Sequence, residues 1–158
     1  TAAVLVYGLF NIPWLSDWVV SRKGYAFIRR LWADWSPGWQ PEPGVLDDVI
    51  RTLSQRGVRS AALGYYRAAL SIKALLVSAK EAHYLVPVPT LALSGERDGC
   101  IASDVFEQLM VARDFPKGLT FSRIAEAGHF LHQEQPGQVN RKIVDWLKLN
   151  DDRFATHR

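Results

Sequence analysis

The sequence is nearly free of cysteine: Cys100 is the only one in 158 residues. That excludes a disulfide framework and any multi-cysteine metal site. There is no uninterrupted apolar run of about 18 residues, so no membrane-spanning helix is expected. Internal repeats, low-complexity tracts and phosphate-cradling glycine loops are absent too. Neither sign of charge dominates. The 19 basic and 16 acidic residues leave a net charge of +3, too small to argue for a nucleic-acid partner. His83 and His132 have no companion at metal-ligand spacing, so no metal or other cofactor is implied. The chain opens on Thr1 and its single methionine is Met110, which fits a processed product or part of a longer chain.

What is present is ordinary globular material. Hydrophobic residues make up 48% and charged residues 22%, which excludes a disordered protein. Aromatics reach 11%, with 6 tryptophans, enough to line an apolar pocket. Thr1–Phe10 is apolar and partly β-prone. It follows no basic region and precedes no small-residue cleavage site, so a signal peptide is not expected and the cytoplasm is.

Two building styles follow one another. Asn11–Trp18 is broken by Pro13. Between Ser21 and Trp39, Phe27, Leu31, Trp32 and Trp35 recur at helical spacing, and Pro37-Gly38 stops that helix. After a Pro/Gly loop, Asp47 or Asp48 caps a helix ending near Gly57. Ser60 caps another through Ala61–Leu70, and Ser71–Tyr84 also reads as helical. Beyond Leu85 the pattern changes. Thr90–Ser94 and Leu119–Ile124 read as strands, Ser103–Arg113 as an amphipathic helix, and Pro136-Gly137 opens a last helix. Strand–helix alternation implies parallel strands with helical crossovers. Two parallel strands alone do not make a stable open sheet, so this half reads as the edge of a larger one. The expected organisation is a helical subdomain over 1–85 and an α/β part over 86–158.

Functional residues of open parallel sheets sit just beyond the carboxyl ends of strands. Asp98 follows the first strand and His129 the second, each in a glycine-containing loop. Adjacent strands would bring them together across 31 residues. A carboxylate accepting from one imidazole nitrogen fixes the tautomer and leaves the other nitrogen as a base.

The segment Val88-Pro89-Thr90-Leu91-Ala92-Leu93-Ser94-Gly95-Glu96-Arg97-Asp98 resembles the acid-bearing strand and loop of the α/β-hydrolase fold family. Ala127-Gly128-His129-Phe130-Leu131-His132-Gln133-Glu134-Gln135-Pro136 is similar to that family's catalytic-histidine loop. The order acid then histidine matches the family order. Arg29-Arg30-Leu31-Trp32-Ala33-Asp34-Trp35-Ser36-Pro37 and Ala62-Leu63-Gly64-Tyr65-Tyr66-Arg67-Ala68 resemble cap segments of its epoxide-hydrolase and dehalogenase-like branch. The resemblance implies an α/β fold, a helical cap followed by the last two strand–helix units of the core. It implies a hydrolase in which Asp98 and His129 are acid and base. Tyr66 then donates a hydrogen bond to the opening epoxide oxygen, a role suited to a phenol of pKa about 10. A second cap tyrosine is expected, with Tyr25 as candidate. Trp32, Trp35 and Tyr65 would contact a small apolar substrate.

The family's nucleophile elbow, Gly-x-Ser-x-Gly or its Asp equivalent, does not occur in this sequence. The expectation is therefore that the chain alone is inactive, the nucleophile lying outside it. Two alternatives stand beside the epoxide reading. One is a serine-esterase-like hydrolase. The other is a non-catalytic assembly module whose strand edges pair into a homodimer or with a second chain supplying the missing core. No nucleic acid and no membrane is expected as partner.

Overall fold

The computed structural model describes residues 12–69 and 85–151. The expectations for Thr1–Phe10 and Ser71–Tyr84 fall outside them. The chain divides into two compact units. Residues 12–32 and 40–69 belong to the first, residues 33–39 and 85–151 to the second.

The first unit is helical. It holds helix α1 (Pro13–Trp35) as far as Trp32, the last three residues of that helix belonging to the second unit, with helix α2 at Val45–Ser54 and helix α3 at Val58–Ala69. Pro13 opens α1 rather than breaking it, because a proline at the first helical position gives up an N–H that has no intrahelical acceptor. The break comes later. Lys23, Gly24 and Tyr25 take left-handed φ values of 52°, 61° and 61°, costly for the two non-glycine residues. Tyr25 is offset by what it reaches. Its ring lies in the core with Val20 and Leu63, and its hydroxyl accepts from Arg59 at 2.9 Å. Arg59 also binds Asp17 at 3.1 Å. Phe27, Ile28, Ile50, Leu53 and Tyr66 pack around this core.

The expected caps are displaced. Helix α2 starts directly after Gly44, so Asp47 and Asp48 lie inside its first turn. There their charge complements the helix dipole. Asp47 meets Arg29 and Asp48 meets Arg51. Ser60 is likewise inside α3, its hydroxyl turned to Asp17.

The second unit is α/β. Strands β1 (Thr90–Gly95) and β2 (Leu119–Ile124) pair in parallel, with Thr90 opposite Leu119 and Gly95 opposite Ile124. Helix α4 covers Ser103–Leu109, followed by a 3-10 turn at Ala112–Asp114, a short helix α5 at Leu131–Glu134 and helix α6 at Pro136–Leu149. Helix α4 ends earlier than its apolar pattern predicts. Met110 and Val111 leave helical conformation. The 3-10 turn then offers the Asp114 carbonyl to the Val86 N–H, at 2.7 Å, tying the approach to β1 to the approach to β2. Ile124, Ala127 and Val139 form the core, with Leu93 and Leu131 against it. Ile124 is fully buried. Burying a side chain of that size is worth roughly 1.5–3 kcal/mol, and it anchors the strand tip from which the next loop departs.

Candidate active site

The matched ends of β1 and β2 fix where two loops begin. The loop after β1 hangs from the tip of β2: Glu96 N–H donates to the Ile124 carbonyl at 3.0 Å and Arg97 N–H to the Ala127 carbonyl at 2.8 Å. Gly95 permits this approach. A Cβ there would lie 2.0 Å from the Gly128 oxygen and 2.6 Å from the Ala127 oxygen.

This arrangement brings Asp98 and His129 together. His129 Nδ1 lies 3.0 Å from Asp98 Oδ2. The other carboxylate oxygen, Oδ1, accepts from the N–H groups of Cys100 at 2.7 Å and Ile101 at 3.0 Å. An Asp bonded to amides two and three residues on is a common turn device. Here it also leaves one oxygen free to face the imidazole. The Asp98 side chain is 9% exposed and that of His129 31%, so the acid sits behind a base that solvent can reach.

Burial alone would push the Asp98 carboxyl up. The His129 bond and the Ile101 and Cys100 amides outweigh it and hold the group below its ordinary value. An ionised carboxylate only accepts, so Nδ1 carries the hydrogen, and in the neutral ring Nε2 is left as the acceptor. Such an arrangement can take a proton at Nε2.

Asp98 also contributes to stability in a pH-dependent way. A carboxyl whose folded pKa is depressed stabilises above its unfolded value, ~3.9, and that contribution is lost as pH falls through the lower folded value. Urea midpoints measured between neutral pH and about pH 3 should drop more steeply for the native chain than for Asp98→Asn. Parallel curves would mean the carboxylate is not preferentially bound in the fold.

Trp35 stands beside this pair. Its ring meets the His129 ring edge-on at 4.9 Å, and Phe130 lies 5.4 Å from His129 and 6.0 Å from Trp39. These aromatics form an apolar wall next to the base. Trp39 and Phe130 escaped the sequence reading as wall residues, although both are aromatic neighbours of positions it had singled out. The structure thus joins Asp98, His129 and Trp35. Trp32, Tyr65 and Tyr66 belong to the helical unit. Tyr65 is 75% exposed there, and its ring meets that of Tyr66 edge-on at 5.8 Å. Tyr66 is half-buried against the helical core. Tyr25, the candidate second tyrosine, is 7% exposed, and its hydroxyl accepts from Arg59. Ser94 is buried at the end of β1 and bonded to the Ser103 hydroxyl. Among the described residues no group of three or more metal-ligating side chains occurs, and no helix is long and apolar enough to cross a membrane.

No protein-family model matches the chain. It is 30% identical over 148 residues to human epoxide hydrolase 4, covering 90% of this chain and 38% of that protein. The chain therefore spans well under half the length of this curated relative. Among solved structures, the Cif epoxide hydrolase from Acinetobacter nosocomialis superposes with a TM-score of 0.68 at 21% identity, over 89% of this chain and 44% of that one. A haloalkane dehalogenase loop variant from Bradyrhizobium elkanii superposes with a TM-score of 0.67 at 17% identity, over 99% and 52%.

Proposed function

Because the chain carries part of the α/β-hydrolase fold and resembles the epoxide-hydrolase and dehalogenase-like branch of that family, we propose that it supplies the acid and base of an epoxide-opening hydrolase. The observation that carries this reading is the 3.0 Å contact between His129 Nδ1 and Asp98 Oδ2 at the tips of paired parallel strands. In the proposed reaction a carboxylate nucleophile from outside these residues attacks an epoxide carbon. The carbon–oxygen bond breaks, an ester forms, and the released oxygen takes a proton as Tyr66 donates to it. His129 Nε2 then removes a proton from water, which attacks the ester carbonyl. The alkoxide leaving the ester takes the proton of the carboxylic acid, so that diol leaves and the carboxylate is regenerated, and the proton held on His129 returns through solvent to the Tyr66 phenolate. Asp98 holds the ring in the required tautomer and stabilises the imidazolium. Trp35, Phe130 and Trp39 favour an apolar epoxide, with Trp32 and Tyr65 proposed as further substrate contacts.

The test is turnover of a panel of apolar epoxides and nitrophenyl esters by two proteins. One is the 158-residue chain. The other is human epoxide hydrolase 4 with its matching segment replaced by this chain. The graft is expected to convert epoxides to diols, and the isolated chain to convert neither. Ester hydrolysis without epoxide opening would replace this reading with a serine-esterase one. Turnover by the isolated chain, lost in His129→Ala, would place the nucleophile within it.

A further inference from the structure

Three consecutive backbone N–H groups surround the base, and all three point to acceptors. Gly128 N–H donates to Glu134 Oε2 at 2.7 Å and Phe130 N–H to Glu134 Oε1 at 2.9 Å. Between them, His129 N–H donates to the Trp35 carbonyl at 3.1 Å. The same carbonyl accepts from Gly99 N–H at 3.0 Å, in the loop that carries Asp98. Ser36 completes the arrangement. Its hydroxyl donates to Glu134 Oε1 at 2.7 Å and lies 3.3 Å from the Phe130 N–H. Ser36 is fully buried. Gly128 fits against it only because it lacks a Cβ, which would lie 2.6 Å from the Ser36 Cα. All these residues belong to the second unit.

Successive amides in a tight turn make a concavity that attracts anions. Here the chain fills its own concavity with the Glu134 carboxylate. Hydrogen bonds to an ionised acceptor are roughly twice as strong as neutral ones. A misplacement of one ångström at a catalytic group can cost about a hundredfold in rate. We propose that Glu134 is a positioning residue for His129. It grips the amides on either side, while the Trp35 carbonyl and the Ser36 hydroxyl fix the grip relative to the acid loop. The inference rests on the reading of His129 as base. It adds a carboxylate outside the nucleophile–histidine–acid set, one that acts only through the backbone.

The experiment uses the 15N-labelled 158-residue chain and needs no turnover. Ring-nitrogen shifts of His129 report which nitrogen carries the hydrogen, and amide exchange reports the two Glu134 bonds. The native chain is expected to hold the Nδ1–H tautomer, with slow exchange at Gly128 and Phe130. In Glu134→Gln one donor replaces an acceptor. Exchange at both amides should rise about tenfold or more, and the ring should drift into a mixture of tautomers. In Asp98→Asn the tautomer should be lost while the amide protection stays. Glu107→Gln, which removes an exposed carboxylate bonded to Arg123, should change neither. A folded Glu134→Gln chain with native exchange and native tautomer overturns the inference. Should that variant not fold, Ser36→Ala decides: an unchanged Phe130 exchange rate then overturns it. A native chain lacking the Nδ1–H tautomer would instead sink the acid–base pair itself. Amides still dependent on Glu134, alongside a graft that turns over no epoxide, would leave the clamp standing and remove only the hydrolase reading.

Discussion

His129→Ala in the grafted hydrolase should lower kcat for epoxide hydrolysis by about three to four orders of magnitude, with Asp98→Asn in a similar range. The two-step chemistry makes the loss informative. Ester formation needs the nucleophile and an oxygen-stabilising donor. Ester breakdown needs a base on water. Removing the base should therefore stop the cycle after the first step, so that a covalent adduct of the substrate's mass accumulates and is seen by intact-protein mass spectrometry. Asp98→Asn should retain the ring but lose its orientation, giving slow breakdown of the same adduct. A variant lacking His129 that still releases diol at the native rate would remove this residue from the reaction.

Gly95→Ala should be the most damaging single-methyl change in the second unit. The added carbon would fall 2.0 Å from one backbone oxygen and 2.6 Å from another. Neither atom belongs to a side chain that can swing away. The loop carrying the base must then separate from the tip of β1, or β1 must slip against β2. Overpacking of this kind costs about 1–3 kcal/mol and occasionally more. For a chain of this length each kcal/mol lowers Tm by roughly 2–4 °C. A fall of about 2–12 °C is expected by circular dichroism, together with loss of the Nδ1–H signature of His129. A Tm within about two degrees of the native value would show that the two loops approach less closely than described.

Much of the acid–base pair was legible in the sequence because its cues are local. Thr90–Ser94 and Leu119–Ile124 read as short strands bounded by turn residues, and a polar residue follows each in a glycine-bearing loop. Parallel pairing then required only the alternation of elements. The glutamate clamp was not legible. Glu134 sits in a short polar helix and looks like a solvated charge. Its partner Ser36 lies 98 residues away. The Trp35 carbonyl is backbone, which no side-chain identity announces. Helix ends were misplaced for a related reason. Ser60 has the chemistry of a cap, yet Asp17 across the unit competes for its hydroxyl. Met110 and Val111 continue an apolar helical pattern, yet the Asp114 carbonyl is required by Val86. The left-handed Tyr25 had no local signal, since a bulky residue is a poor candidate for that conformation and tolerates it only through its core packing and Arg59.

A peptide oxygen has two lone pairs and is the same oxygen whatever side chain it accompanies. At position 35 that oxygen ties two loops together, while the indole on the same residue faces the base. The ring contact to His129 and the tether between the loops are thereby carried by separate atoms. Under the proposed function, exchanging the indole for another side chain would alter the wall beside His129 while leaving in place the backbone oxygen that ties the loops.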